Sequence, residues 1–164
     1  AKGFEAVSVA EVMKATGLTH GGFYGHFGSK DDLVVQTIDH ALAQDVAEGN
    51  DLGTYLDIYL SPWHRDNAAE GCPTAGLVAD TRHQSAAVRQ AMTEGIRSQI
   101  NRIDEALPGA SAVDRRREAI GTFASMVGAV ILARAIDDPA LSDEVLEQTR
   151  AWINARITEP VDTQ

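Results

Sequence analysis

Two helix start signals stand on either side of a glycine near the beginning of the chain, and little else constrains the fold as tightly. Ser8 followed by Glu11 is a capping box, in which the serine hydroxyl accepts from the backbone N–H three residues on and the glutamate reaches back. Val9, Val12 and Met13 then fall at i, i+3 and i+4 and make one apolar face. Gly17 stands where a left-handed helix end costs least. Leu18 is expected as a buried pivot, and Thr19 as a second N-cap for a segment His20 to Phe27 whose Phe23 and Phe27 lie four apart. Two short helices joined by Gly-Leu-Thr make a helix-turn-helix.

Gly28 is expected to end the second helix and Ser29 to cap a third, running through Leu33, Val34, Ile38, Ala41 and Leu42 to about Ala47. The polar stretch Glu48 to Asp51, with Gly49 and Asn50, marks a boundary between a first domain at 1–47 and a second at 48–164. In the second, Leu52 to Leu60 reads as helix, Pro62 as a break, and Trp63 to Gly71 as a polar loop. Pro73 suits the first turn of a helix to about Thr81. Ser85 to Leu107 repeats apolar residues at threes and fours until Pro108-Gly109, Ser111 caps a helix to about Ile136, and Ser142 begins the last one. No internal repeat is present.

Composition agrees with this all-α reading: 25 alanines accompany nine aromatics, and no run alternates Val, Ile and Thr. No uncharged stretch exceeds 15 residues, the length of the apolar run Ala119 to Ala133, short of the roughly 20 that a membrane-spanning helix needs, so no membrane segment is expected. The single cysteine, Cys72, has no internal disulfide partner, and a reducing, cytoplasmic setting is the default. The sequence opens on Ala1-Lys2-Gly3 without Met, which reads as the end of an earlier helix, so residues upstream are expected.

The net charge of −10 argues against nucleic acid until its distribution is considered. Residues 1–30 carry three lysines against two glutamates, whereas residues 31–164 carry 11 basic and 22 acidic side chains. No Gly-x-Ser-x-Gly elbow, phosphate loop or paired-cysteine motif is present, so no enzyme and no cofactor is expected. His64, His83, Asp80 and Cys72 form no metal-ligand pair of the usual spacing, and no metal site is expected.

The run from Ser8 to Leu33 resembles the DNA-binding domain of TetR-family transcriptional repressors, most specifically in Phe23-Tyr24-x-His26-Phe27-x-Ser29-Lys30-x-x-Leu33. The resemblance implies an N-terminal helix-turn-helix domain, here with most of its first helix missing, followed by a larger helical domain for effector binding and dimerisation. It implies double-stranded operator DNA, a second copy of the chain and a small-molecule effector as partners. Thr19, His20, Gly21 and Gly22 stand where bases or phosphates are contacted, Tyr24 and His26 would hydrogen-bond phosphates, and Lys30 would add a charge-assisted contact beside a helix N-terminus. Phe23, Phe27 and Leu33 would be core. Gly21, Gly22 and Gly25 depart from the family pattern: each costs about 1 kcal/mol against alanine in a helix, and at Gly22 and Gly25 the resemblance implies side chains that touch DNA, so fewer base-reading groups are left here. Specificity would then rest on His20, close backbone approach and DNA shape. A glycine-rich loop between core helices is the plain alternative.

The same resemblance implies an effector pocket, for which the apolar residues with polar handles are Tyr55, Tyr59, Trp63, His64, Cys72, Met92, Ile96, Phe123, Met126 and Val127. Each also reads as ordinary core, and a largely apolar effector would suit the set. Cys72, before Pro73, stands where a thiol pKa falls, which would suit a redox sensor; a packed structural cysteine is the alternative. Gly121, Ala124, Ser125, Gly128 and Ala129 make a small-residue face that permits close helix approach, and with Trp152 they are the expected dimer interface. A helical protein without DNA binding remains the reading from another class.

Overall fold

The computed structural model describes Phe4 and residues 7–43, 51–108 and 111–158, with the side chains of His20 and Thr158 outside that description. The described residues form helices and turns and no strand. The helices are α1 (Val9–Thr16), α2 (His20–Phe23), α3 (Lys30–Ala43), α4 (Leu52–Tyr59), α5 (Pro62–Asp66), α6 (Pro73–Thr81), α7 (Ala86–Ala106), α8 (Ala112–Ala135) and α9 (Pro139–Thr158). The expected end of α3 near Ala47 and the boundary at 47/48 lie outside the described residues.

Local hydrogen bonds fix the first two helices, which are too short to be stable alone. The Ser8 N–H donates to Glu11 Oε2 at 2.8 Å while Ser8 Oγ accepts from the Glu11 N–H at 3.3 Å. Gly17 closes α1 at φ 71°, a left-handed conformation that a Cβ would strain. The Leu18 N–H donates to Met13 O at 2.9 Å, a 6→1 closure that satisfies an end carbonyl of α1. Leu18 is not the buried pivot the sequence suggests: it is 54% exposed, and backbone bonding rather than burial of its side chain holds the turn. Thr19 caps α2 as expected, its Oγ1 accepting from Gly22 N at 3.2 Å.

The second helix is shorter than the sequence pattern predicts. It ends at Phe23, and the chain continues in tight turns with Gly25 N–H to Gly22 O at 3.2 Å and His26 N–H to Phe23 O at 3.0 Å. Its own two glycines and a third at position 25 make further helix expensive, at about 1 kcal/mol each. Phe23 is fully buried, and Phe27 and Leu33 are half-buried.

In the body, α8 is central. Its Ala119, Phe123, Met126, Ala129, Val130 and Ala133 pack with residues of α4, α6, α7 and α9 in one apolar cluster. By length and composition alone α8, with 24 residues, is apolar enough to cross a membrane, more than its 15-residue uncharged stretch suggests. A second cluster joins Val34, Ile38 and Leu42 of α3 to Val88, Ala91 and Met92 of α7. Through it the helix-turn-helix is attached to the body.

Two starts differ from expectation. Pro62 does not break the chain into a loop; it opens α5, with Ser61 Oγ capping the His64 N–H at 3.1 Å, because proline at the first helical position gives up no needed hydrogen bond. The last helix begins at Pro139 rather than at Ser142, since Asp138 Oδ1 accepts from Ala140 N at 2.9 Å and caps it. Ser142 is buried instead, donating to Ala133 O at 2.7 Å.

Candidate nucleic-acid interface

The helix-turn-helix presents a polar, glycine-rich surface over a single buried aromatic. Thr19, Gly21, Tyr24 and His26 are exposed, Gly22 and Lys30 half-buried. His20 is the first residue of α2, and its side chain lies outside the described residues. Tyr24, 63% exposed, stands edge-on to the buried Phe23 ring at 5.1 Å, so the core residue braces its exposed neighbour. Phe27 lies 5.4 Å from the same ring.

Among the described residues nothing explains glycine at position 21, where a Cβ would meet no described atom within 4 Å. At Gly22 a Cβ would lie 3.4 Å from Thr19 Oγ1, and at Gly25 3.4 Å from Gly22 O, both ordinary contacts. Gly21, exposed and with no close neighbour among the described residues, leaves the backbone of α2 open to approach at that point.

At the start of α3 the groups are already paired. Ser29 Oγ accepts from Asp32 N at 3.1 Å, and Asp32 Oδ2 accepts from the Gly28 N–H at 2.9 Å. A side-chain bond from Gln36 and that backbone bond hold the Asp32 carboxyl below its ordinary range. Asp31 and Asp32 put two carboxylates into the first turn beside Lys30. Of the amides around the start of α3, those of Gly28 and Asp32 are thus taken within the chain.

Of the expected pocket residues, Tyr55, Tyr59, Cys72, Phe123 and Met126 are brought together in the main cluster, with Ile96 and Val127 at its edge. Met92 belongs to the second cluster, against α3, and Trp63 is 53% exposed on α5. His64 is a buried link: its Nδ1 lies 2.6 Å from Tyr59 O and its Nε2 2.9 Å from the Cys72 backbone N–H. Accepting at Nε2 assigns the neutral ring with its proton on Nδ1, donated to Tyr59 O. Gly71 makes this possible, because a Cβ there would overlap the His64 ring.

Sequence reasoning missed Arg134. Its guanidinium donates to Arg65 O at 3.0 Å, His64 O at 2.8 Å and Ala75 O at 3.3 Å, tying α5 and α6 to α8. Burial lowers its pKa, partly offset by Tyr59 and Cys72. The available signal was a lone arginine directly after the uncharged run of α8. Beside it opens a recess of about 390 Å³ lined by Arg65, Asp66, Arg134, Asp137 and Ser142 among others, where Arg65 pairs with Asp66 at 2.7 Å and with Asp143.

On α8, Ala124 is exposed and Gly121, Ser125 and Gly128 are half-exposed; a Cβ at either glycine would meet nothing within 4 Å. Ile120, Ile131 and Leu132 of the same helix, and Leu141 and Trp152 of α9, are 38–57% exposed. Ala129 belongs to the chain's own core.

Residues 1–37 match the family described as bacterial regulatory proteins, tetR family. The N-terminal domain is of the TetR family. Solved structures extend the likeness of the TetR fold to the whole chain. The E. coli NemR in its reduced form superposes with a TM-score of 0.73 at 21% identity, over 96% of this chain and 90% of that one. A TetR-family regulator from Cytophaga hutchinsonii gives 0.74 at 22%, over 98% and 89%. Bacillus subtilis FadR, solved with stearoyl-CoA, gives 0.56 at 20%, over 91% and 90%. No curated protein matches the chain. The all-helical TetR fold, with its helix-turn-helix at the N-terminus, agrees with the sequence reading.

Proposed function

We propose that this TetR-type chain is a homodimeric repressor that binds double-stranded operator DNA and is released by a small, largely apolar effector. The observation that carries the reading is the exposed surface of Thr19, Gly21, Tyr24 and His26 around buried Phe23, at the basic end of an otherwise acidic chain. In this reading Tyr24, His26 and Lys30 hold phosphates, Thr19 contacts a base or a phosphate, Gly21 and Gly22 allow close backbone approach, and His20 reads a base edge. Residues 1–47 form the DNA-binding domain and 48–164 the effector and dimer domain. The second copy covers the apolar face of α8 and α9 through Gly121, Ala124, Ser125, Gly128 and Trp152, as a two-fold symmetric contact requires.

The effector enters between the helices that carry Tyr59, Cys72, Met92 and Phe123. It must bind the non-DNA conformation better, because equal affinity for both would shift nothing. The apolar acyl chain of the stearoyl-CoA in the FadR structure supports a largely apolar effector for a protein of this fold. A second reading makes Cys72 a redox-sensitive thiol, supported by its N-cap position on α6; its burial in the main cluster favours the packed structural cysteine instead. Selection of DNA by the full-length protein from a random duplex pool tests the first reading. An inverted repeat should be enriched, with affinity falling steeply as salt rises. Enrichment of no sequence contradicts it. For the second, oxidant treatment should weaken binding in wild type and not in Cys72→Ser.

A further inference from the structure

The helix-turn-helix meets the body chiefly through α3, and the contact at the far end of α3 is unusually close. A Cβ at position 95 of α7 would overlap Leu42 Cδ1 and lie 3.1 Å from its Cγ and 3.4 Å from its Cβ. Moving that methyl would still leave Cγ in a tight contact, and Leu42 is buried in a packed cluster with little room to turn, so the helices themselves would have to give. One helical face of α7 carries a second hold seven residues on, where Arg102 Nη2 donates to Leu42 O at 3.4 Å. Leu42 is therefore seated on α7 by its side chain at Gly95 and by its carbonyl at Arg102. The distance between packed helices follows the side chains at their contact.

At its other end, α3 begins at Lys30 and is joined to the exposed turn by the Gly28–Asp32 hydrogen bond. Its 14 residues make a shaft of about 20 Å between the seat and the surface that faces DNA. A tilt of about 5° at the seat would move that surface by about 2 Å, and two-fold symmetry doubles the change between the paired surfaces to about one base-pair rise.

We propose that Gly95 is a positioning residue for DNA recognition: by letting Leu42 sit against the α7 backbone it sets the separation of the two DNA-reading segments in the dimer. This rests on the DNA-binding reading above. The experiment uses the full-length protein and its selected inverted repeat, with one base pair added to or removed from the spacer. Gly95→Ala should weaken binding to the original spacing at least tenfold and move the optimum by one base pair, with the dimer intact by sedimentation. Leu42→Ala in that background should restore the original optimum, because it reopens the space. Leu42→Ala alone should broaden the spacing preference, which keeps the test open should Gly95→Ala not fold.

An unchanged optimum in Gly95→Ala, or an unchanged preference in Leu42→Ala, overturns the proposal. So does a uniform loss at every spacing that Leu42→Ala does not relieve. If the unsubstituted protein selects no inverted repeat, the DNA-binding reading itself has failed, and the role of Gly95 fails with it.

Discussion

The helix-turn-helix and the helical body are stabilised by different means. From Ser8 to Asp32 the conformation is set by bonds between near neighbours: the Ser8–Glu11 box, the left-handed Gly17, the Thr19 cap and the Ser29–Asp32 pair. Its buried apolar residues are few, chiefly Met13 and Phe23. The body is the reverse, since α4, α6, α7, α8 and α9 share one apolar cluster built from residues far apart in sequence. A surface offered to a partner can be shaped by local bonds, while the scaffold that carries it needs a core.

This difference predicts where substitutions will be felt. Phe123→Ala should have the largest effect: Phe123 is 4% exposed in the main cluster, and truncation of such a residue costs about 3–5 kcal/mol, seen as a lower urea midpoint for the whole body. Gly128→Arg should cost the dimer a few kcal/mol by burying an unpaired charge, yet leave the single chain folded, since a Cβ there meets nothing within 4 Å. A variant that stays dimeric by sedimentation at micromolar concentration would show the interface to be elsewhere.

Changes in the N-terminal region should be smaller and confined. Ser8→Ala removes a cap worth about 1 kcal/mol and should speed hydrogen exchange in α1 without altering exchange in α8. A matching change in α8 would show that the two regions unfold as one. Smaller still is the effect of acid on the turn before α3. Hydrogen bonds hold folded Asp32 below its ordinary value of 3.8, so its contribution is complete above that value and lost as pH falls through the lower folded one. Exchange at the Gly28 amide should rise on acidification relative to neighbouring amides, and Asp32→Asn should flatten that dependence.

The same contrast explains what can be read from the sequence. Ser8, Glu11, Gly17, Thr19 and Ser29 act over three or four residues, so their roles are legible, as are the lengths of α7 and α8 from their apolar spacing. The start of α5 is legible too, in the pair Ser61-Pro62, once the proline is read as a first helical residue instead of a break. Leu18, Ser142 and Arg134 escape for another reason. Their environments depend on more than the spacing of near neighbours, as when Ser142 accepts from Arg65 at 3.0 Å. Gly95 carries no local sign of its closeness to Leu42.

The central claim is that the N-terminal surface holds phosphates and reads bases with different residues, and one comparison tests it most directly. Affinities of Lys30→Ala and His20→Ala, in the full-length protein, are measured against a panel of single-base operator changes at several salt concentrations. Lys30→Ala should weaken every sequence alike and reduce the salt slope by about 1 for each phosphate it no longer neutralises. His20→Ala should lose about 1–3 kcal/mol of discrimination at one base pair in each half-site and keep its salt slope. A uniform loss for His20→Ala together with a base-specific loss for Lys30→Ala would contradict the account.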